Sequence, residues 1–441
     1  MHMEKNRFIT KQALWAMSVA LLLIVMPFDG VSQEKITLAE CYEWAHANYP
    51  LIKQRRLIEQ AEQYNLSNAA KGWLPQVAVS GKMSYQSKVT KLPFDTEKLS
   101  VMLPGLDIPT LNKDQYQMVA EVNQTIWDGG QISSVREMTR AQAVADKQQL
   151  DSELYTLNGR VNQLYFGCLL QDELLKQNEL LQKELQINID RIKGMMVNGM
   201  ANQSDCKSME AELLNAKQKA IELKAARTAY GQMLCALIGK PYQSEISLEV
   251  PDMASRSLSS EINRPELRAL DAKSNFLNSQ NKQITAGLMP KIGAFVQGGY
   301  GRPGLNMLSN SFDPFYVAGL RLSWNIGKFY TLKNDRRKVE TGMKTVEVER
   351  ETFLFNTRLT MAQQNTEIKK MSDLMQSDES IIHLRHDIKT AAEVKLTNGV
   401  ISVTDLIREI NAEDMAHQTA ATHRIQHLQA ICNYMNSTNE Q

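Results

Sequence analysis

The sequence predicts a mainly α protein with a small β part: long coiled-coil α-helical hairpins plus four membrane-spanning β-strands per chain. Three observations carry that prediction. Two long Pro-free stretches, rich in helix-forming residues, each close on an Asn-Gly turn. Four segments of about ten residues alternate between apolar and polar side chains. The whole order of these features occurs twice along the 441 residues.

Composition supports the helical part. Gly numbers 22 and Pro 12, few breakers for a chain this long, while Ala, Leu, Gln, Glu, Lys and Met are plentiful. With 50 basic and 49 acidic residues the formal charge is +1, so no overall basic field exists to hold nucleic acid. The N-terminus reads as an export signal over residues 1–32. Lys5, Arg7 and Lys11 precede the uncharged apolar run Ala13 to Met26, and Gly30 and Ser32 supply small residues for cleavage. That run is shorter than a spanning helix needs, and no Cys follows it directly, so we expect a mature start near Gln33 without a lipid anchor.

Duplication organises the rest. Asn198-Gly199-Met200-Ala201-Asn202-Gln203-Ser204-Asp205 has its partner in Asn398-Gly399-Val400-Ile401-Ser402-Val403-Thr404-Asp405. Leu74-Pro75-Gln76-Val77 pairs with Met289-Pro290-Lys291-Ile292, and Trp127-Asp128-Gly129-Gly130 with Trp324-Asn325-Ile326-Gly327. We therefore expect a first repeat over 33–240, with a helix, a β-hairpin at 76–126 and a helical hairpin at 130–238. A linker follows at 241–263. The second repeat, 264–441, repeats the order with a β-hairpin at 291–326 and a helical hairpin at 327–436.

The strands alternate with period two. Val77, Val79, Gly81, Met83 and Tyr85 share one face, as do Tyr116, Met118, Ala120, Val122 and Ile126 on the return. In the second pair the apolar face carries Ile292, Ala294, Val296, Gly298 and Tyr300, then Tyr316, Ala318, Leu320, Leu322, Trp324 and Ile326. Aromatic residues near the strand ends suit lipid interfaces. Four strands cannot close a barrel alone, and an open edge in lipid leaves backbone groups unpaired at several kcal/mol each. The strands must be pooled between chains, and three chains would supply twelve, an even number.

The helices follow. Residues 130–197 and 327–397 lack Pro and read as single helices, each about 100 Å long. Leu150, Leu154, Leu157, Val161, Leu164 and Cys168 recur at alternating spacings of four and three, a heptad seam. Gly199 and Gly399 suit the left-handed residue that stops a helix. Asn202 and Ser402 suit the caps that start the next one, with Asp205 and Asp405 three positions on. Cys41, Cys168, Cys206, Cys235 and Cys432 form no C-x-x-C pair and read as thiols packed among helices.

Four features together resemble the TolC-like family of outer-membrane efflux proteins, the outer membrane factors. They are Ile36-Thr37-Leu38-Ala39-Glu40-Cys41 followed by Ala47-Asn48-Tyr49-Pro50, the Leu74-Pro75 before the first strand pair, the Trp-x-x-Gly after each pair, and the duplicated Asn-Gly-x-x-x-x-Ser/Thr-Asp tips. The resemblance implies a homotrimer with a 12-stranded β-barrel in outer-membrane lipid and an α-barrel reaching into the periplasm. It implies a passive conduit of a tripartite efflux or type I secretion system, fed by an inner-membrane transporter and a periplasmic adaptor (membrane fusion) protein. The adaptor-contact tips would be Asn198, Gly199, Met200, Asn398, Gly399 and Val400. Asp205 and Asp405 match carboxylates of the family's periplasmic aperture, where Asp405 in three copies would make a cation-favouring ring. Both also read simply as helix caps. The Tyr and Arg that latch some family members are replaced by Leu396 and Ile401, leaving Lys395 and Arg408 as candidate substitutes.

Other signals point nowhere strong. His423 and His427 lie four apart, but without the acidic partner of a zinc motif. The glycine run 298–304 precedes no helix. No catalytic constellation stands out, so no enzyme, cofactor or metal site is expected. The rival reading is a soluble periplasmic coiled-coil adaptor or scaffold. Adaptors usually carry one helical hairpin, whereas this chain carries two.

Overall fold

The computed structural model describes residues 35–89, 112–242, 246–253, 258–307 and 309–439. The expected export signal lies outside them. No helix among the described residues is long and apolar enough to cross a membrane.

The chain opens with helix α1 (Leu38–Asn48), started by a capping box in which Thr37 and Glu40 bond each other's backbone. A short 3-10 turn at Pro50–Ile52 leads into α2 (Lys53–Ala70). Then come β1 (Gln76–Tyr85) and β2 (Asp114–Trp127), followed by α3 (Gln131–Tyr155), α4 (Leu157–Val197) and α5 (Gln203–Ile238). The second half gives α6 (Pro265–Ala286), β3 (Lys291–Arg302), β4 (Asp313–Ser323), α7 (Lys328–Thr397) and α8 (Val403–Thr438). Helix, strand pair, long helix and return helix thus appear in the same order twice.

The four strands form one antiparallel sheet in the order β1-β2-β3-β4. The register carries the sequence alternation across every strand: Val77 lies opposite Val122, Val122 opposite Val296, and Val296 opposite Ala318. One face therefore holds Val79, Met83, Met118, Val296, Tyr316 and Leu320, all exposed. The other holds Lys82, Gln117, Glu121, Gln297 and Arg321. On that polar face Arg321 reaches Glu121 at 3.2 Å and stacks on the ring of Phe295. β1 and β4 are sheet edges within this chain.

Two sequence expectations change at the sheet's base. β4 ends at Ser323, so Trp324 and Ile326 lie beyond it rather than on its apolar face. Trp324 instead donates its indole N–H to the Leu288 carbonyl at 2.9 Å, pinning the strand exit to the end of α6. In β2 the register shifts between Thr125 and Trp127, a bulge that ends the simple alternation. Gln124, which continues the apolar face in phase, donates to the Trp73 carbonyl at 2.9 Å.

The helices pack as two hairpins below a shared upper layer. α3 runs against α2 and α6, and α4 pairs with α5. The upper part of α7 lies on α6, where Lys273 meets Glu349 at 2.7 Å and Arg350 meets Asp271. Its lower part pairs with α8, and α8 in turn packs on α4, joining the hairpins.

The first long helix is not continuous as expected. It divides at Thr156, whose hydroxyl donates to the Glu153 carbonyl at 2.7 Å. The backbone there stays right-handed (φ −62°, ψ −19°), so the division is a loosened turn and not a corner. α7, by contrast, runs 70 residues unbroken, about 105 Å.

Two apolar cores hold the bundle. The upper one gathers Leu38, Cys41, Val161, Tyr165, Phe166 and Ile238 around α1, α4, α5 and α8. All five cysteines are buried and none forms a disulfide. Burial pushes the Cys41 and Cys168 thiols up to about 12, so they pack as small apolar groups. The lower core gathers Leu185, Ile189, Ile192, Met209, Leu406 and Ile410 beside the tips. Each such side chain contributes roughly 1.5–3 kcal/mol through burial.

Candidate functional site: the hairpin tips and the charged junction above them

The two tips are built alike. α4 ends at Asn198 and α7 at Asn398, and each Asn side chain donates back to the carbonyl four residues earlier, Gly194 at 3.1 Å and Val394 at 3.0 Å. Gly199 (φ +71°) and Gly399 (φ +68°) then take the left-handed conformation. Met200 N–H donates to the Met195 carbonyl and Val400 N–H to the Lys395 carbonyl, both at 2.9 Å. This pattern satisfies carbonyls that a helix end otherwise leaves unpaired. Met200 and Val400 project as exposed apolar side chains at the two ends.

The next helices start two residues later. Asn202 accepts from Asp205 N–H at 3.0 Å and returns its own N–H to the Asp205 carboxylate at 3.0 Å. Ser402 and Asp405 repeat this at 3.2 and 3.1 Å, with a further bond from the Ser402 hydroxyl to Asp405 at 2.7 Å. The Ser402 hydroxyl and N–H, with Arg408 nearby, hold the Asp405 carboxyl below the usual range, so it is charged at neutral pH. Both aspartates are therefore helix caps by geometry, and both stay at the surface facing the tip loops.

The remaining predicted residues separate. Arg408 lies 3.4 Å from Asp405 and 3.3 Å from Glu409, on its own helix, and makes no ion pair with Asp205. Lys395 is exposed on the last turn of α7. Leu396 is buried in the lower core, and Ile401 packs against that core. Apolar contact thus occupies both positions.

A charged junction above the tips was not foreseen. Lys389 on α7 bridges Glu184 on α4 at 2.7 Å and Glu413 on α8 at 2.5 Å. His386 adds a contact to Glu413 at 2.8 Å. Burial works to raise the Glu413 carboxyl, but Lys389 and His386 outweigh it and hold it below the usual range. Neighbouring Asp414 is pushed up to about 6, first by burial and then by Glu184 and Glu413, against a bond from Gln418. Arg191–Glu393 at 3.5 Å and Arg385–Glu409 at 3.7 Å flank the cluster. A signal for it existed in the sequence. Lys389 precedes Ala392 and Leu396 at seam spacing, and Glu413 follows Leu406 and Ile410, so charges sit where a heptad wants apolar residues. Higher up, His423 is engaged by Asp378 at 2.7 Å, and His427 is pushed down by burial.

Residues 41–240 match the family model described as outer membrane efflux protein. No curated protein matches the chain. Among solved structures, the outer membrane protein VceC of Vibrio cholerae superposes with a TM-score of 0.64 at 11% identity, covering 91% of this chain and 95% of its own. The open state of the MtrE outer membrane channel of Neisseria gonorrhoeae gives 0.64 at 14%, covering 91% and 88%. The CmeC outer membrane channel of Campylobacter jejuni gives 0.63 at 12%, covering 91% and 85%. At these identities the likeness establishes a shared fold over nearly the whole chain.

Proposed function

We infer that this chain is one protomer of a TolC-like outer-membrane efflux channel, a passive conduit leading from the periplasm to the exterior. One observation carries the reading. A four-stranded sheet with an exposed apolar face and two unpaired edges stands on helical hairpins far too long for a compact domain. That sheet is stable in lipid only if like sheets close its edges, and three copies give a twelve-stranded barrel. The family match over 41–240 and the fold likeness support the same reading. They give no support to a soluble adaptor.

In this reading residues 33–240 and 264–441 are two repeats of one unit, joined by 241–263. The polar sheet face lines the lumen and the apolar face meets outer-membrane lipid. The tips, Asn198-Gly199-Met200 and Asn398-Gly399-Val400, point into the periplasm and receive an adaptor that links the channel to an inner-membrane transporter. Asp405, charged and at the surface, would recur three times around the aperture. Its capping bonds engage one carboxylate oxygen, and the other lies 3.4 Å from the Arg408 guanidinium at the surface.

Native mass measurement of the protein in mild detergent tests the assembly. A trimer is expected, and a dominant monomer would count against the reading. The tips are tested by Gly399→Val. No atom lies within 4 Å of a Cβ added there, so the main cost is backbone strain at positive φ, about 1–2 kcal/mol. Trimer yield should hold while adaptor binding and efflux fall. Unchanged efflux would place docking elsewhere.

A further inference from the structure

The four upper helices form a row. α2 packs on α3, α3 on α6 and α6 on α7, so α2 and α7 are its two ends. Each end carries an apolar stripe on the side turned away from the row. On α2, Arg55 reaches Asp151 of α3, and Glu62 lies 3.4 Å from Lys147. Leu57 and Tyr64 each stand two positions further on, about 200° round the helix, with Ala61 between them. On α7 the packed side holds buried Val346, with Glu349 and Arg350 reaching Lys273 and Asp271 of α6. Val348 stands two positions on from Val346, and Phe355 and Leu359 continue its stripe. Leu57, Tyr64, Val348, Phe355 and Leu359 are 56–65% exposed, and Ala61 is exposed with them. Contiguous exposed apolar surface of this kind marks an interaction site.

The two stripes stand at one height. The contacts of Arg55 and Glu62 set this part of α2 beside Lys147 and Asp151 of α3. Asp146 and Gln149 of α3 and Glu349 and Phe353 of α7 line one cavity, with α6 between them. α2 leads up into β1 and α7 leads down from β4, so the stripes run antiparallel. Ala61 is therefore level with Val348, and Leu57 lies between the levels of Val348 and Phe355. Rotation about an axis along the helices moves no residue up or down, so a ring of copies needs its two contact faces at equal height. Beside the stripes, at this same height, Arg56 of α2 and Glu351 of α7 are exposed and opposite in charge. The sheet agrees: β1 follows α2 and β4 precedes α7, and these strands are its two edges within this chain.

We propose that the α2 stripe of one copy docks on the α7 stripe of a second copy, head to tail, so that every copy uses both ends of its row. The proposal rests on the channel reading and names the helical seam beneath the strand edges that close the barrel. Ala61 and Val348 meet at its centre, where the small side chain lets the two helices approach. Leu57 packs between Val348 and Phe355, and Tyr64 covers the turn above Val348. Arg56 and Glu351 flank the seam at its rim, where opposite charges set the register more than the strength of the contact.

The test uses the full chain in mild detergent, carrying Ala61→Cys and Val348→Cys together and treated with a short bis-maleimide. The five native thiols are buried and stay unreacted in the folded chain. Covalent dimers and trimers on a denaturing gel are expected from the double variant and from neither single variant. Phe355→Asp changes a side chain that is exposed within one chain. It should lower the trimer fraction roughly tenfold or more, as loss of an interface aromatic does. A parent that is trimeric by native mass, with no covalent product from the double variant, would overturn the seam and leave the channel reading standing. Dimers from Ala61→Cys alone would overturn it as well, since α2 would then meet α2. A monomeric parent would overturn both. Cross-linked trimers that conduct no ions would uphold the seam and remove the channel reading.

Discussion

Replacing Lys389 with Met removes the ammonium that joins the two hairpins while keeping the length of the side chain. In the parent, Lys389 is 12% exposed and sits within 2.7 Å of Glu184 and 2.5 Å of Glu413, which is 7% exposed. The variant leaves two carboxylates facing each other from α4 and α8 with only the largely exposed His386 nearby. Removing one partner of a fully buried pair costs about 3–5 kcal/mol. Glu184 is 29% exposed and retains some water, so about 2–3 kcal/mol is the expected loss here. The loss should be local to the junction. Amide hydrogen exchange in the lower halves of α7 and α8, in the regime where it follows local opening, should accelerate roughly 30- to 140-fold. The pH dependence has a definite sign. Glu413, held below its ordinary value in the parent, contributes stability present above 4.5 and lost as pH falls through the depressed value. Without Lys389 that contribution is gone, so the gap between parent and variant should narrow in acid. Exchange within threefold of the parent at neutral pH would refute the junction as a structural tie.

Asp414→Asn should act in the opposite direction. The Asp414 carboxyl is raised from 3.8 to about 6, so its contribution is full below 3.8 and lost as pH rises through about 6. The Asn variant should therefore melt higher than the parent near pH 8 and equally near pH 4, as scanning calorimetry can show. Gly129→Ala and Gly130→Ala should differ sharply although both positions have positive φ. A Cβ at Gly129 would collide with the Met289 side chain and lie 3.2 Å from the Pro290 carbonyl, whereas nothing lies within 4 Å at Gly130. The second should lower stability by about 1–2 kcal/mol and the first by clearly more, compared by thermal melting. Leu320→Arg, on the apolar face where Leu320 is 74% exposed, should hinder assembly by about 2–4 kcal/mol. Gln297→Arg on the polar face should be mild, with trimer yield as the readout.

Much of the fold was legible because period and punctuation agreed. The alternation from Val77 to Tyr85 fixed which face of β1 is apolar, and every paired strand inherited that register. The Asn-Gly tips were legible because only a left-handed residue lets a helix reverse in so few steps, and the capping boxes at Asn202 and Ser402 followed from spacing alone. Three features were not legible. The first long helix divides at Thr156, whose hydroxyl bonds the carbonyl three residues back, whereas Thr357 bonds the carbonyl four residues back in an unbroken helix; spacing in the sequence does not distinguish the two threonines. Trp324 leaves the strand because its indole N–H finds the Leu288 carbonyl, a contact set by how α6 ends. The Glu184–Lys389–Glu413 junction joins residues over two hundred positions apart, and a seam written in charges reads as a solvated face until the partner helix is known.

The central claim, that the chain forms a passive conduit, is tested most directly by recording from the purified full-length protein in a planar lipid bilayer. The account predicts discrete, uniform conductance steps with cation preference, and a reduced preference in Asp405→Ala because three clustered carboxylates are lost from the aperture. A protein that is folded and trimeric in detergent yet inserts without producing any unitary conductance would contradict the account.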